Sequence, residues 1–206
     1  MVRGLIIEGL STTGKTSLLC ALKKAHCETG IERSLVVVSE QYTQVLHSDH
    51  GVLRSLDQRN HMDLLNRHVS YLVQLNQWID SLGITKAHHG GFFLLERFHL
   101  NHRVAFGSST ELRTLEQQLL GLNAQCVLLT LSPDVVEQRY IKSRDEAWKS
   151  YVMAGSRSTE EMWRTFLSNQ EHLLQSASES CVPTTQIITD NADWDEYALR
   201  AMRTVG

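Results

Sequence analysis

Residues 4–19 read GLIIEGLSTTGKTSLL. A short apolar run ends in Gly9, Gly14-Lys15-Thr16 follows, and an apolar helical pattern starts at once. The segment Gly9–Thr16 fits G-x-x-x-x-G-K-[ST]. Such a chain must place a strand, a tight loop and a helix in direct succession. Glycines let the backbone curl so that successive N–H groups point inward around an anion. The helix that opens near Lys15 aims its positive end at the same spot.

Each remaining part of the motif has a chemical reason. Lys15 is placed to reach β- and γ-phosphates, and the Thr16 hydroxyl is placed to bind Mg²⁺. The expected nucleotide-binding set is therefore Gly9, Leu10, Ser11, Thr12, Thr13, Gly14, Lys15, Thr16 and Ser17, for a nucleoside triphosphate with Mg²⁺.

The rest of the chain narrows the setting. Its 206 residues fit one domain, 1–206. A formal net charge of −3 argues against a nucleic-acid polymer or an anionic membrane as main partner. No apolar run reaches the ~20 residues that span a bilayer. The first residues read as a core strand rather than a signal peptide. Cys20, Cys27, Cys126 and Cys181 form no C-x-x-C pair, so they read as reduced thiols in a cytoplasmic protein. His88-His89 and His99-x-x-His102 lack an H-E-x-x-H pattern and are expected in loops or at the surface.

Short runs rich in Val, Ile, Leu and Phe predict buried strands at Leu5–Glu8, Leu35–Ser39, Phe92–Leu95 and Cys126–Leu131. Gln186–Thr189 is a weaker fifth. Helical patterns lie between them. Thr16–Lys24 follows the glycine loop. Asn60–Leu82 sets Leu65, Val69, Leu72, Trp78 and Ile79 on one side. Capping arrangements open Glu111–Leu120 and the helix after Ser158. Pro133 stands at the first position of another helix, and Asp195–Thr204 is the last. Alternating strands and helices predict an α/β fold with parallel strands covered on both faces. Residues 142–157 are polar, without an apolar stripe, and read as a surface segment or lid.

The strand FFLLERFHL ends in Glu96-Arg97. Strand C-termini are where ligands gather in a parallel sheet. Glu96 is thus placed to support Mg²⁺, and Arg97 to grip a substrate oxygen or phosphate. The chain has no Asn-Lys-x-Asp guanine reader and no strand ending in Asp-Glu. GTP switches and transporter-type ATPases are therefore disfavoured.

IIEGLSTTGKTSLL, VVVSEQY and LLERFHLNHRVAF together resemble the deoxynucleoside kinase and thymidylate kinase group of P-loop kinases. The resemblance implies a three-layer fold: a five-stranded parallel sheet in the order 2-3-1-4-5, helices on both faces, and a lid at about 139–157. In deoxynucleoside kinases the second strand ends in Glu-Pro, and that Glu acts on the sugar hydroxyl. Glu40 stands there, followed by Gln41. Their third strand ends in Glu-Arg-Ser with a further Arg; here Glu96-Arg97-Phe98 and Arg103 occupy those places. The resemblance assigns the lid cations to Arg139 and Arg144, with Lys142. It places adenine near Thr189–Tyr197. The base-reading Gln of the long helix falls at Val69, with Gln74 nearby. The polar stripe Asn66, Ser70, Gln74 and Gln77 faces either the site or water.

The expected reaction is transfer of the γ-phosphoryl group of ATP to a nucleoside hydroxyl. Lys15, Glu40, Arg97, Arg139 and Arg144 would carry it. Glu40, Arg97, Arg103 and Gln74 would contact the acceptor, and Thr16 and Glu96 the metal. Alternatives are a nucleoside monophosphate kinase and a nucleotide-binding regulatory module without transferase activity. The expected partner is a small molecule, and a homodimer stays open.

Overall fold

The computed structural model describes residues 1–29, 32, 34–49, 52–83, 89–142 and 158–205. Among them the elements run β1 (Val2–Gly9), α1 (Lys15–Thr29), β2 (Ser34–Val38), β3 (Leu46–Asp49), β4 (Val52–Ser55), α2 (Gln58–Leu82), β5 (Gly91–Glu96) and α3 (His99–Phe106). There follow α4 (Thr110–Gly121), β6 (Ala124–Thr130), α5 (Pro133–Val136), α6 (Thr159–Glu179), β7 (Thr184–Ile188) and α7 (Trp194–Thr204). A 3₁₀ turn occupies Glu40–Tyr42, and a π-turn spans Glu137–Lys142.

The main sheet has the order β2-β5-β1-β6-β7. All its pairings are parallel. Counting only these strands along the chain, this is the expected order 2-3-1-4-5. Strand period two divides the core between two faces. Ile6, Phe93, Leu95, Cys126 and Leu128 pack with Leu65, Val69, Leu112, Leu115 and Leu173. Leu5, Ile7, Phe92, Leu94, Val127 and Leu129 pack with Leu18, Leu22, Tyr197 and Ala201. β1 and β5 are apolar on both sides because helices cover both. No helix among the described residues is long and apolar enough to cross a membrane.

Caps fix several helix starts. Asp57, Ser109, Ser158 and Asp193 accept from the backbone N–H of Asn60, Leu112, Glu161 and Glu196. Pro133 begins α5 as expected, but α5 is a single turn that passes into the π-turn.

The structure departs from the sequence expectations at several points. The antiparallel hairpin β3–β4 is new; its LHSD and VLRS segments mix polar and apolar residues too evenly to mark strands. Trp78 is 64% exposed rather than in the core stripe of α2. Its neighbour Ile79 takes the inward position. His99 and His102 are buried, not at the surface. They lie on α3, which is too short for an apolar period to declare itself. His88 lies outside the described residues, as does most of the expected lid, 143–157.

Candidate active site at the glycine loop

Sheet order explains why the site exists. β2, β5 and β1 are neighbours, so the residues that follow their C-terminal ends meet at one edge. Those residues are Glu40, Glu96-Arg97 and the glycine loop. Gly9 and Gly14 both take positive φ, as does Thr12. At Gly14 the requirement is doubled. A Cβ there would lie 1.9 Å from the Trp194 ring, which closes over the loop. Thr13 anchors the curl by donating from Oγ1 to the carbonyl of Leu10 at 2.9 Å. Thr189 Oγ1 donates to the carbonyl of Thr13 at 2.7 Å, tying the loop to the end of β7.

Lys15 and Glu40 come together in the loop. Lys15 Nζ lies 3.1 Å from the carbonyl of Leu10 and 3.3 Å from Glu40 Oε2. Arg97 Nε lies 2.9 Å from the same carboxylate oxygen, and its Nη2 donates to Ser11 Oγ at 3.0 Å. Glu96 accepts from Thr16 Oγ1 and from the backbone N–H of Glu40, each at 3.3 Å. Ser11, Gly14, Lys15, Thr16, Glu40 and Arg97 line a cavity of about 310 Å³.

The electrostatics follow from this crowding. Burial, and then Arg97, lower the Lys15 ammonium to about 8, although Glu40 opposes them. Burial raises Glu40, but Lys15 and Arg97 outweigh it and hold the carboxyl below its usual range. Glu96 is raised, first by burial and then by the charge of Glu40. Burial lowers Arg139.

A second cavity, of about 490 Å³, is lined by Gln41, Tyr42, His47, Asn60, Asp63 and Arg67 among others. Glu40, Gln41 and Tyr42 belong to one 3₁₀ turn. That turn therefore borders both cavities.

One expected acceptor contact is corrected. Arg103 is 5% exposed and gives its Nη2 to both oxygens of Glu116, at 2.8 and 2.9 Å. Its guanidinium is held by α4, away from the loop. Gln74 is exposed and lines, with Asn66, Ser70 and Tyr71, a hollow that shares Asp63 and Arg67 with the second cavity. Of the polar stripe on α2, Ser70, Gln74 and Gln77 are exposed and Asn66 is half-buried. Arg139 packs over the Trp194 ring at 5.6 Å and donates to the carbonyl of Thr189. It thus lies beside the segment 189–197. Arg144 lies outside the described residues.

Sequence reading missed Glu8. This acid sits in an otherwise apolar strand and is 1% exposed. Its Oε1 accepts from the backbone N–H of Phe98 and Leu100, at 2.8 and 3.0 Å. Arg97 just before them has φ 48°, a conformation that non-glycine residues take only when held. Glu8 holds the backbone that follows Arg97. The lone charge inside LIIEG was the available signal. Thr43 was also missed, whereas Trp194 falls in the segment Thr189–Tyr197 where the resemblance places adenine.

No protein-family model matches the chain, and no curated protein does. Among solved structures, the YorR protein of Bacillus subtilis, in complex with phosphorylated GDP, is similar with a TM-score of 0.61. The likeness covers 98% of this chain and 95% of that one at 15% identity. At that identity it shows the fold. A sugar kinase from Janibacter covers 99% of this chain and 96% of its own at 14% identity, with a TM-score of 0.49. Shikimate kinase from Bacteroides thetaiotaomicron covers 98% and 96% at 10% identity, also with a TM-score of 0.49.

Proposed function

We propose that this chain is an ATP-dependent kinase that transfers the γ-phosphoryl group to a hydroxyl of a nucleoside. One observation carries the reading. Glu40 lies at the glycine loop, on Lys15 and Arg97, while the next two residues of its turn line a separate cavity large enough for a small molecule. An acceptor there would present its hydroxyl to a carboxylate that also touches the phosphate side.

In the transfer, the bond from the γ-phosphorus to the β-γ bridging oxygen breaks and a bond to the acceptor oxygen forms. The acceptor proton passes to Glu40, and ADP leaves. Glu40 is ionised at neutral pH, so its carboxylate is free to accept that proton. Positioning and charge neutralisation supply most of the rate. Lys15 would meet the phosphates, and Arg97 the transferring group or the acceptor.

The donors at Thr16 and Glu96 fit Mg²⁺. They are a hydroxyl and a carboxylate, the oxygen ligands this ion prefers. Glu96 also bears excess negative charge in a buried place, which a cation would relieve. Bound there, Mg²⁺ would neutralise phosphate oxygens.

A second reading, a nucleoside monophosphate kinase, is favoured by Arg67. It lines the acceptor cavity, and no ion pair of Arg67 is found among the described residues. It is available to hold an acceptor phosphate. ADP release measured across nucleosides, monophosphates and sugar alcohols separates the readings, with Lys15→Ala as control. Nucleosides should stimulate release. Stimulation by monophosphates alone would select the second reading. ATP binding with no acceptor-dependent turnover would select a regulatory module.

A further inference from the structure

His61 and His102 form a buried pair beneath the turn that carries Glu40. His61 Nδ1 and His102 Nδ1 are 2.9 Å apart, and His61 Nε2 lies 2.7 Å from the carbonyl of Thr43. The rings stack at 5.1 Å, and Phe106 packs against both. Both histidines and Thr43 are fully buried.

The proton positions follow by elimination. The Thr43 carbonyl only accepts, so His61 Nε2 carries hydrogen. A neutral His61 then has a bare Nδ1, which accepts from His102 Nδ1–H. The remaining nitrogen, His102 Nε2, is bare, buried and without a hydrogen-bond partner among the described residues. Burial lowers both imidazoles, His102 to about 4, which agrees with a neutral pair.

Thr43 is where this chain meets the site. Its backbone N–H and that of Gln44 donate to the carbonyl of Glu40, at 3.2 and 2.9 Å. Its Oγ1 donates to the carbonyl of Glu96. Thr43 thus links the turn of Glu40 to the end of β5, and His61 ties Thr43 to α2. We propose that His61, with its proton arrangement set by His102, is a positioning residue that holds the Thr43 carbonyl and so fixes the Glu40 turn against the Glu96 strand end. The inference rests on the kinase reading for its effect on turnover, but its structural part stands apart from that reading.

Two substitutions test it. Gln in place of His61 keeps an N–H donor near the Nε2 position, whereas Phe keeps a ring and removes the donor. Amide exchange at Thr43 and Gln44 should accelerate about tenfold or more in His61→Phe and stay near wild type in His61→Gln. Acceptor-dependent kcat should fall by about 10²-fold in His61→Phe, with ATP Kd unchanged, and should largely recover in His61→Gln. In a Glu40→Gln background, His61→Phe should cost little more, because the group it positions is gone.

Unchanged exchange in a folded His61→Phe protein overturns the proposal, with or without turnover. Equal losses of ATP affinity and kcat also overturn it, as does failure of His61→Gln to recover turnover. If wild type shows no acceptor-dependent turnover, the kinase reading fails, and amide exchange alone decides the positioning. If His61→Phe does not fold, imidazole ¹⁵N spectra of wild type decide. Hydrogen on His61 Nε2 and His102 Nδ1 supports the proposal, and the opposite tautomers overturn it.

Discussion

Lys15 Nζ lies 3.3 Å from Glu40 Oε2, although Lys15 opens the helix after β1 and Glu40 follows β2. β5 stands between those two strands and contributes Arg97 to the same carboxylate. On the proposed reading, a base for the acceptor and a cation for the donor share one ion pair. When phosphates draw Lys15 away, Glu40 keeps Arg97 as its counter-charge.

The lowered pKa of Lys15 makes nucleotide binding pH-dependent. The free protein loses the Lys15 proton as pH rises through about 8. Triphosphate favours the charged form, so binding above that pH takes up a proton. ATP affinity should fall by about tenfold per pH unit there. Titration calorimetry in buffers of differing ionisation enthalpy should detect the uptake, and Lys15→Ala should abolish it. A flat affinity profile between pH 7 and 9.5 would remove Lys15 from phosphate binding.

Glu40→Gln keeps the shape of the side chain and removes its basicity. Acceptor-dependent kcat should drop by about 10²-fold or more. ATP affinity should hold or rise, because Lys15 is released from its partner. Steady-state kinetics together with nucleotide titration checks both halves. Unchanged turnover would take Glu40 out of the chemistry.

Glu8 links pH to stability. Burial raises its carboxyl from 4.5 to about 7, against the pull of the Phe98 and Leu100 amides. Below the unfolded value both states are protonated, and the relative stability from this group is fully present. As pH rises from about 4.5 to about 7 the unfolded chain ionises while the folded acid keeps its proton, and about 3 kcal/mol is lost by the time pH has passed through the folded value. Glu8→Gln keeps an accepting oxygen and cannot ionise. Denaturant unfolding at pH 5 and pH 8 should show the variant gaining on wild type at the higher pH. A constant difference between them would contradict the assignment.

Arg103 should matter for folding rather than acceptor binding. Arg103→Ala leaves Glu116 buried without its partner, a loss of about 3–5 kcal/mol. Replacing both residues, as Arg103→Met with Glu116→Leu, should recover most of it. The kcat/KM of the folded double variant should match wild type. A selective rise in acceptor KM would return Arg103 to the acceptor site.

These cases show what the sequence made legible. The loop, the five sheet strands and the meeting of Glu40 with Glu96 follow from strand runs, a motif and the behaviour of parallel-strand ends. All are local signals or consequences of sheet order. Arg103 was misread because its partner, Glu116, lies on another helix, and no spacing announces a pair between helices. His61, His102 and Thr43 lie on three separate elements, so their link appears only in three dimensions. Glu8 was visible as a charge in an apolar strand, but its target, the amides that follow Arg97, was not.

The central claim is that the loop and Glu40 act together to move a phosphoryl group to a nucleoside. Incubation with ATP labelled at the γ-phosphate, Mg²⁺ and a panel of nucleosides tests it most directly. The account predicts label on the sugar of at least one nucleoside, absent with Lys15→Ala and reduced by about 10²-fold or more with Glu40→Gln. Label appearing only as inorganic phosphate, or transferred equally by Lys15→Ala, would contradict it.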